Sequence, residues 1–384
     1  MLGSVGALVP AAIDLYLASL PRVAKSLHAT TGTVQFTMTL FILVLGIGQL
    51  VGGPLSDSWG RRWPLRIGMA ILAMGSIAAA VAPSIEALIA ARVLQAAGAA
   101  MAYVVAVSMI RDLESGPGAA RMFAMMTTLA AAAPVFAPMI GGVISEWCGW
   151  RWIFVLLAAM TAALLAVVWR GLPETRPRSE RSDLHLGRVL RGYAGLFGNR
   201  VFMLLLATFM AISCFLFIYI TGSPFIFEDH YELSPSVYGI VYGLSGIAIV
   251  IAARLVTRVI RRIGVGRTSH VALLVVVAAA ALLVIEAITG APMWVLAATI
   301  AGALFGIGLS EPPMMTRAMD QSTRDHGAAA ALVGSVAYGG GALSSVFVAV
   351  TGVGNPVPWT VSILVVAAAA ALLGLLAGVG KRPT

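Results

Sequence analysis

Gly53-Pro54-Leu55-Ser56-Asp57-Ser58-Trp59-Gly60-Arg61-Arg62 joins two long apolar runs, 34–55 and 63–82. Two glycines permit a tight turn, and one acid with two arginines can pair across neighbouring helix ends. Each flanking run is about 20 residues long, enough for an α-helix to cross roughly 30 Å of hydrocarbon. Similar runs lie at 2–21, 85–110, 119–145 and 151–170, then at 200–221, 235–256, 268–288, 291–311, 326–350 and 356–378. That makes twelve spans, and lipid admits them as helices because a helix satisfies its own backbone groups.

Composition supports the same conclusion. Of 384 residues, 60% are hydrophobic and 11% charged, with a mean hydropathy of +0.95. A soluble domain carries about 25% charged residues, so this chain lacks the means to coat a surface facing water. A transmembrane barrel would show shorter, alternating segments. The net charge of +9 resides in loops between apolar runs rather than in a stripe, so no nucleic-acid partner is expected. Cys148 and Cys214 are two cysteines without framework spacing, and the five histidines form no ligand cluster. Neither a metal nor a cofactor is expected, and the absence of a nucleophile–base set argues against an enzyme. No cleavable signal is evident. Met1 opens almost directly into the first span, which leaves open a start further upstream.

Basic residues orient the spans. Arg61, Arg62, Arg111 and Arg121 fall in or beside the second and fourth loops, and Arg176, Arg178, Arg181, Arg188 and Arg191 in the sixth. Arg258, Arg261, Arg262, Arg267, Arg317 and Arg324 mark the eighth and tenth, with Lys381 and Arg382 in the tail. The odd loops hold little besides Arg22, Lys25 and Arg151, so both termini are expected in the cytoplasm. Trp147, Trp150, Trp152, Trp294 and Trp359 are then expected at the outer interface. The polar connection 171–199 separates a six-helix bundle, 1–170, from a second, 200–384. A faint echo of Gly53–Arg62 recurs as Arg258-Val-Ile-Arg-Arg-Ile-Gly-Val-Gly-Arg267. Two repeated bundles with a site between them is the plan of a secondary transporter.

Several motifs resemble the major facilitator superfamily. Gly53–Arg62 matches its G-x-L-x-D-x-x-G-R-R loop, with Ser58 where a basic residue is common. Arg92-Val-Leu-Gln95-Ala-Ala-Gly98 is similar to R-x-x-Q-G-x-G, and Ala137-Pro138-Met-Ile-Gly141-Gly142 to the antiporter motif G-P-x-x-G-G. Trp150-Arg151-Trp152-Ile153-Phe154 and Leu172-Pro173-Glu174-Thr175 follow in family order. Asp14-Leu-Tyr16-Leu-Ala18-Ser-Leu-Pro21 and Gly222-Ser223-Pro224-Phe225 resemble the Bcr/CflA drug-resistance subfamily, whose first proline is Ala18 here. The resemblance implies an all-α membrane protein of twelve transmembrane helices. It also implies a monomer in the bacterial inner membrane that exports a hydrophobic, antibiotic-like compound in exchange for protons. The alternative is an exporter or importer of an endogenous metabolite on the same scaffold. A receptor or scaffold would not need the acids and arginines inside the spans.

Four residues form the expected coupling and substrate set: Asp14, Tyr16, Arg92 and Gln95. An ionised carboxylate at the centre of a span costs about 2.5–3.5 kcal/mol on insertion scales, so Asp14 faces a cavity, bonds a neighbour or carries a proton. Arg92 needs an acceptor, and coupling to Asp14, direct or through water, competes with a simple tie to backbone carbonyls. Gln95 reads as either a polar bridge or a packing hydrogen bond. Asp57, Arg61, Arg62 and Asp112, at helix ends, are expected to form a gating charge cluster. Glu311 beside Pro312 and Pro313 reads first as a snorkelling residue, and Glu86 and Glu286 as solvated. Pro134 and Pro138 are expected to bend the fifth span. Gly46, Gly48, Gly52 and Gly339 to Gly341 read as close helix contacts.

Overall fold

Among the described residues of the computed structural model (1–113, 117–176, 196–321, 326–351 and 355–378), every regular element is helical. The first half holds α1 (Leu2–Leu17), α2 (Leu20–Ser26), α3 (Thr31–Trp59), α4 (Arg62–Ala80), α5 (Ile85–Leu113), α6 (Pro117–Trp147) and α7 (Arg151–Gly171). The second holds α8 (Arg200–Pro224), extended by a π-turn over Phe225–His230, then α9 (Pro235–Ile263), α10 (Val265–Thr289), α11 (Met293–Asp320), α12 (His326–Thr351) and α13 (Pro356–Gly378). Among the described residues, ten helices are long and apolar enough to cross a membrane. The pair α1–α2, bent by 59°, supplies an eleventh span, and the 26-residue α12 completes twelve.

The break in the first span was not expected. Pro21 has no N–H to give, and inside a continuous helix its ring would clash with the carbonyl one turn back. The chain therefore stops at Leu17 and restarts with Pro21 in the first turn of α2. Ser19 closes the corner by donating its hydroxyl to the Tyr16 carbonyl at 2.6 Å.

Elsewhere the helices outrun the apolar runs. α6 has 31 residues, about 46 Å at 1.5 Å per residue, so its ends pass beyond the hydrocarbon. It continues through Pro134 and Pro138 without a break. The stretch Gly53–Trp59, read from sequence as part of a loop, is the last part of α3; the turn itself is Gly60, at φ 87°.

Chain packing divides into two units: residues 1–185 with 233–240, and residues 186–232 with 241–384. Within the first unit, α4 packs on α5 and α7, and α1 on α6 and α5. Small residues bring these backbones close. A Cβ on Gly98 would overlap Leu72 of α4, and one on Gly75 would lie 2.7 Å from the Gln95 Cα. Within the second unit, α10 packs on α11 and α13, and α8 on α12 and α13. There Gly306 sits against Ala272 and Val276, and Gly340 lies against Met210 and Cys214. Both cysteines are free, Cys148 exposed and Cys214 half-buried.

The aromatic belt is smaller than expected. Trp147, Trp152 and Trp294 are exposed, whereas Trp150 and Trp359 are buried. Trp359 donates its indole N–H to the Ile218 carbonyl at 2.9 Å, a partner that suits a buried ring better than an interfacial one. Trp59, Trp63 and Trp169, all exposed, mark the other ends of their helices.

Candidate functional site

Residues 12–16 of α1 are held from two sides. On one side stands Arg92 of α5, fully buried. Its Nη1 donates to the Ala12 carbonyl at 3.1 Å and to the Gln95 side-chain oxygen, and its Nη2 meets the Met38 sulfur at 3.4 Å. Three rings surround the guanidinium, Phe41 at 4.0 Å, Tyr16 at 4.9 Å and Phe154 at 5.8 Å, an arrangement that attracts a cation by the ring quadrupole. Among the described residues no ion pair joins Arg92 to Asp14. The direct pairing considered from sequence gives way to a cation held by a carbonyl, an amide and aromatic rings, with its Nε buried and without a partner among the described residues.

Gln95 is a bridge as well as a packing bond. Its oxygen accepts from Arg92, and its Nε2 donates to Ser76 of α4 at 2.7 Å. Tyr16 lies fully buried, its hydroxyl 3.1 Å from Thr37 of α3. Thr37 donates its own proton to the Val34 carbonyl at 2.6 Å, so Tyr16 is the donor to Thr37. One polar chain thus ties α1, α3, α4 and α5 around the segment that carries Asp14.

On the other side stands α6. A Cβ at Gly141 would overlap the Leu15 carbonyl, so only glycine lets α6 touch α1 beside Asp14. Gly142 makes the same kind of approach to Pro235 of α9, whose first residues pack with the first unit, and Gly239 returns it against Pro138. Ala137 is buried in the same helix. Asp14 itself is 4% exposed and makes no hydrogen bond or ion pair among the described residues. An acid kept inside a span without a partner is the side chain that packing alone does not explain.

The second constellation lies at the end of α3. Arg61, 4% exposed, pairs with Asp57 at 2.7 Å and Asp112 at 2.8 Å, and donates to Ser56 at 2.6 Å. Arg176 pairs with Asp57 from beyond α7. Glu174 caps the start of α4, accepting the N–H of Arg61 at 2.8 Å and of Arg62 at 3.2 Å. Thr175 donates to Asp112 at 3.2 Å. Arg62 therefore joins through its backbone alone, and its side-chain Nε is buried without a partner. Glu174, Thr175 and Arg176 were not anticipated as members. The Leu172–Thr175 motif was the available signal, but nothing in its spacing says that it folds back onto a turn over a hundred residues earlier.

Glu311 is exposed on α11. Glu286, expected to be solvated, is instead 4% exposed and accepts the Thr299 hydroxyl at 2.6 Å. The packing of α10 on α11 covers it.

Comparison with known proteins adds to this geometry. The profile of the Major Facilitator Superfamily matches residues 2–345. An uncharacterized MFS-type transporter of Bacillus subtilis, YdgK, is 32% identical over 87% of this chain and 84% of its own. A chloramphenicol resistance protein of Pseudomonas aeruginosa is 29% identical over 76% and 71%. A bicyclomycin resistance protein homolog of Haemophilus influenzae is 26% identical over 91% and 87%. Among solved structures, a bacterial homolog of the human lysosomal transporter Spinster superposes with a TM-score of 0.81 at 15% identity, covering 99% of this chain and 96% of that one. The nucleoside transporter NupG gives 0.76 at 13%, over the whole of both chains.

Proposed function

This chain belongs to the Major Facilitator Superfamily, and we propose that within it the protein exports small apolar, antibiotic-like compounds in exchange for protons. The relatives named for resistance to chloramphenicol and bicyclomycin support the substrate class. The observation that carries proton exchange is Asp14, buried in a membrane span with no ionic partner among the described residues. A carboxylate in that position exchanges a proton with whichever side the cavity faces. Arg92, Gln95 and Tyr16 hold the surrounding backbone, and Gly141 lets α6 move against α1 without a side chain between them. The cluster of Asp57, Arg61, Asp112 and Arg176 serves as a charge latch that forms and parts during the cycle. The basic loops support a cytoplasmic location for both termini, and a single chain is taken as the transporting unit.

The test is chloramphenicol uptake by inverted membrane vesicles with an acid interior. Uptake should follow the pH gradient, release protons from the lumen, and vanish in Asp14→Asn protein that is inserted in normal amount. Undiminished gradient-driven uptake by Asp14→Asn would remove the acid from the mechanism.

A further inference from the structure

Glu286 is a buried acid that the proposed transport cycle does not use. It lies in the last turn of α10, which ends at Thr289 and is closed by Gly290 at φ 67°. The C-terminal end of a helix carries a partial negative charge, so a cation is favoured there and a carboxylate is not. The last turn of α10 holds no basic side chain. Packing against α11 leaves Glu286 4% exposed, so water does little to offset its charge. Its Oε1 accepts the Thr299 hydroxyl at 2.6 Å, whereas its Oε2 is buried without a hydrogen-bond partner among the described residues. Among those residues no arginine, lysine or histidine pairs with it. A buried charge at the negative pole of a helix, with one oxygen unsatisfied, is costly unless something positive meets it.

Neutral oxygens gather at the same place. Tyr231, just beyond the π-turn that extends α8, donates its hydroxyl to the Ala291 carbonyl at 3.0 Å. Ala291 in turn gives its N–H to the Glu286 carbonyl at 2.9 Å. Burial raises the Tyr231 phenol above its ordinary value, and the nearby Glu286 charge raises it further. The oxygens of Tyr231, Thr299 and Ala291 each keep a lone pair after the bonds described. We propose that this place binds a monovalent alkali cation, with Glu286 as its charged ligand and the oxygens of Tyr231, Thr299 and Ala291 as neutral ones. One carboxylate among neutral oxygens balances a single positive charge, and hard cations take oxygen ligands. The ion also meets the negative pole of α10, which Glu286 alone aggravates. It would join the end of α8 to the turn between α10 and α11, all within the second unit. Positions 231, 286, 291 and 299 lie too far apart in the chain for their spacing to announce such a site.

The experiment is thermal unfolding of the purified full chain in maltoside, at fixed ionic strength, as choline chloride is replaced by sodium, potassium or calcium chloride. Sodium or potassium should raise the midpoint saturably, by about 2–4 °C over choline. Glu286→Gln removes the charge and keeps the shape, and should abolish the rise. Should Glu286→Gln fail to fold, Thr299→Val tests the same site. It removes one neutral ligand and the bond that orients the carboxylate, and should raise the alkali concentration needed by about ten-fold. Equal midpoints in choline, sodium and potassium overturn the site, as does a wild-type response in Glu286→Gln or in Thr299→Val. A larger rise with calcium overturns the single charge. A midpoint that answers to acid rather than to alkali ions, and no longer does so in Glu286→Gln, assigns a proton to Glu286 and overturns the cation.

Discussion

Arg92 is the largest fully buried side chain among the described residues, and it is held without a carboxylate. Its bonds to Ala12 and Gln95 tie α5 to α1, and Gln95 passes the tie to Ser76 of α4. Arg92→Lys keeps the charge but loses the planar fork. One buried acceptor is left unsatisfied, which costs about 1–3 kcal/mol. Arg92→Lys should therefore lower the thermal midpoint of the purified protein, and an unchanged midpoint would show that the ties are dispensable. Asp14→Asn should do the opposite: it breaks no bond among the described residues, so stability should hold while proton-driven exchange is lost. A fall in midpoint matching that of Arg92→Lys would make Asp14 a structural residue. Glu174→Gln falls between these cases. It weakens the cap on two N–H groups and should cost about 1 kcal/mol in the unfolding of the purified protein, while leaving it inserted in the membrane in normal amount.

The same sequence motif contains glycines of unlike necessity, and the difference appears only when helices are placed. Gly53 lies within α3, where a Cβ would rest 3.8 Å from Val104, an ordinary contact. Gly60 holds φ 87° and ψ 176°, a region essentially closed to other residues. Gly53→Ala should be neutral or stabilise the helix by up to about 1 kcal/mol, whereas Gly60→Ala should cost about 1–3 kcal/mol. Gly141→Ala in α6 should match the second, because its methyl would push α1 away at Leu15. Denaturation of the three variants in one detergent ranks them. Equal stability of Gly53→Ala and Gly141→Ala would mean that α1 and α6 are free to separate. Asp57, with its side chain 39% exposed, adds a contrast within the same element: exposed ion pairs contribute little, about 0–1 kcal/mol, so Asp57→Asn should slow transport more than it destabilises the fold.

At the scale of the molecule, alternating spans and basic loops make a topology that the native cysteines can test. Cys148, exposed between α6 and α7, should react with a membrane-impermeant maleimide in intact cells, and half-buried Cys214 should not. Labelling of Cys148 only in inverted vesicles would reverse the orientation. By itself the sequence determined that the chain spans the membrane in twelve helices, in two halves, because hydrocarbon admits only segments that satisfy their own backbone and the uncharged runs have the required length. It also marked Asp14, Arg92 and the charged turn at Asp57 and Arg61, because a polar side chain is costly in those places and so stands out. Tertiary structure alone decided which neighbours those side chains meet. Helices apolar on all sides carry no stripe that distinguishes a lipid-facing flank from a buried one. So the aromatic enclosure of Arg92, the burial of Trp150, Trp359 and Glu286, and the return of Glu174 to the start of α4 depend on contacts between residues distant in the chain. The corner at Ser19 is intermediate: Pro21 announced a disruption locally, but only packing set its angle at 59°.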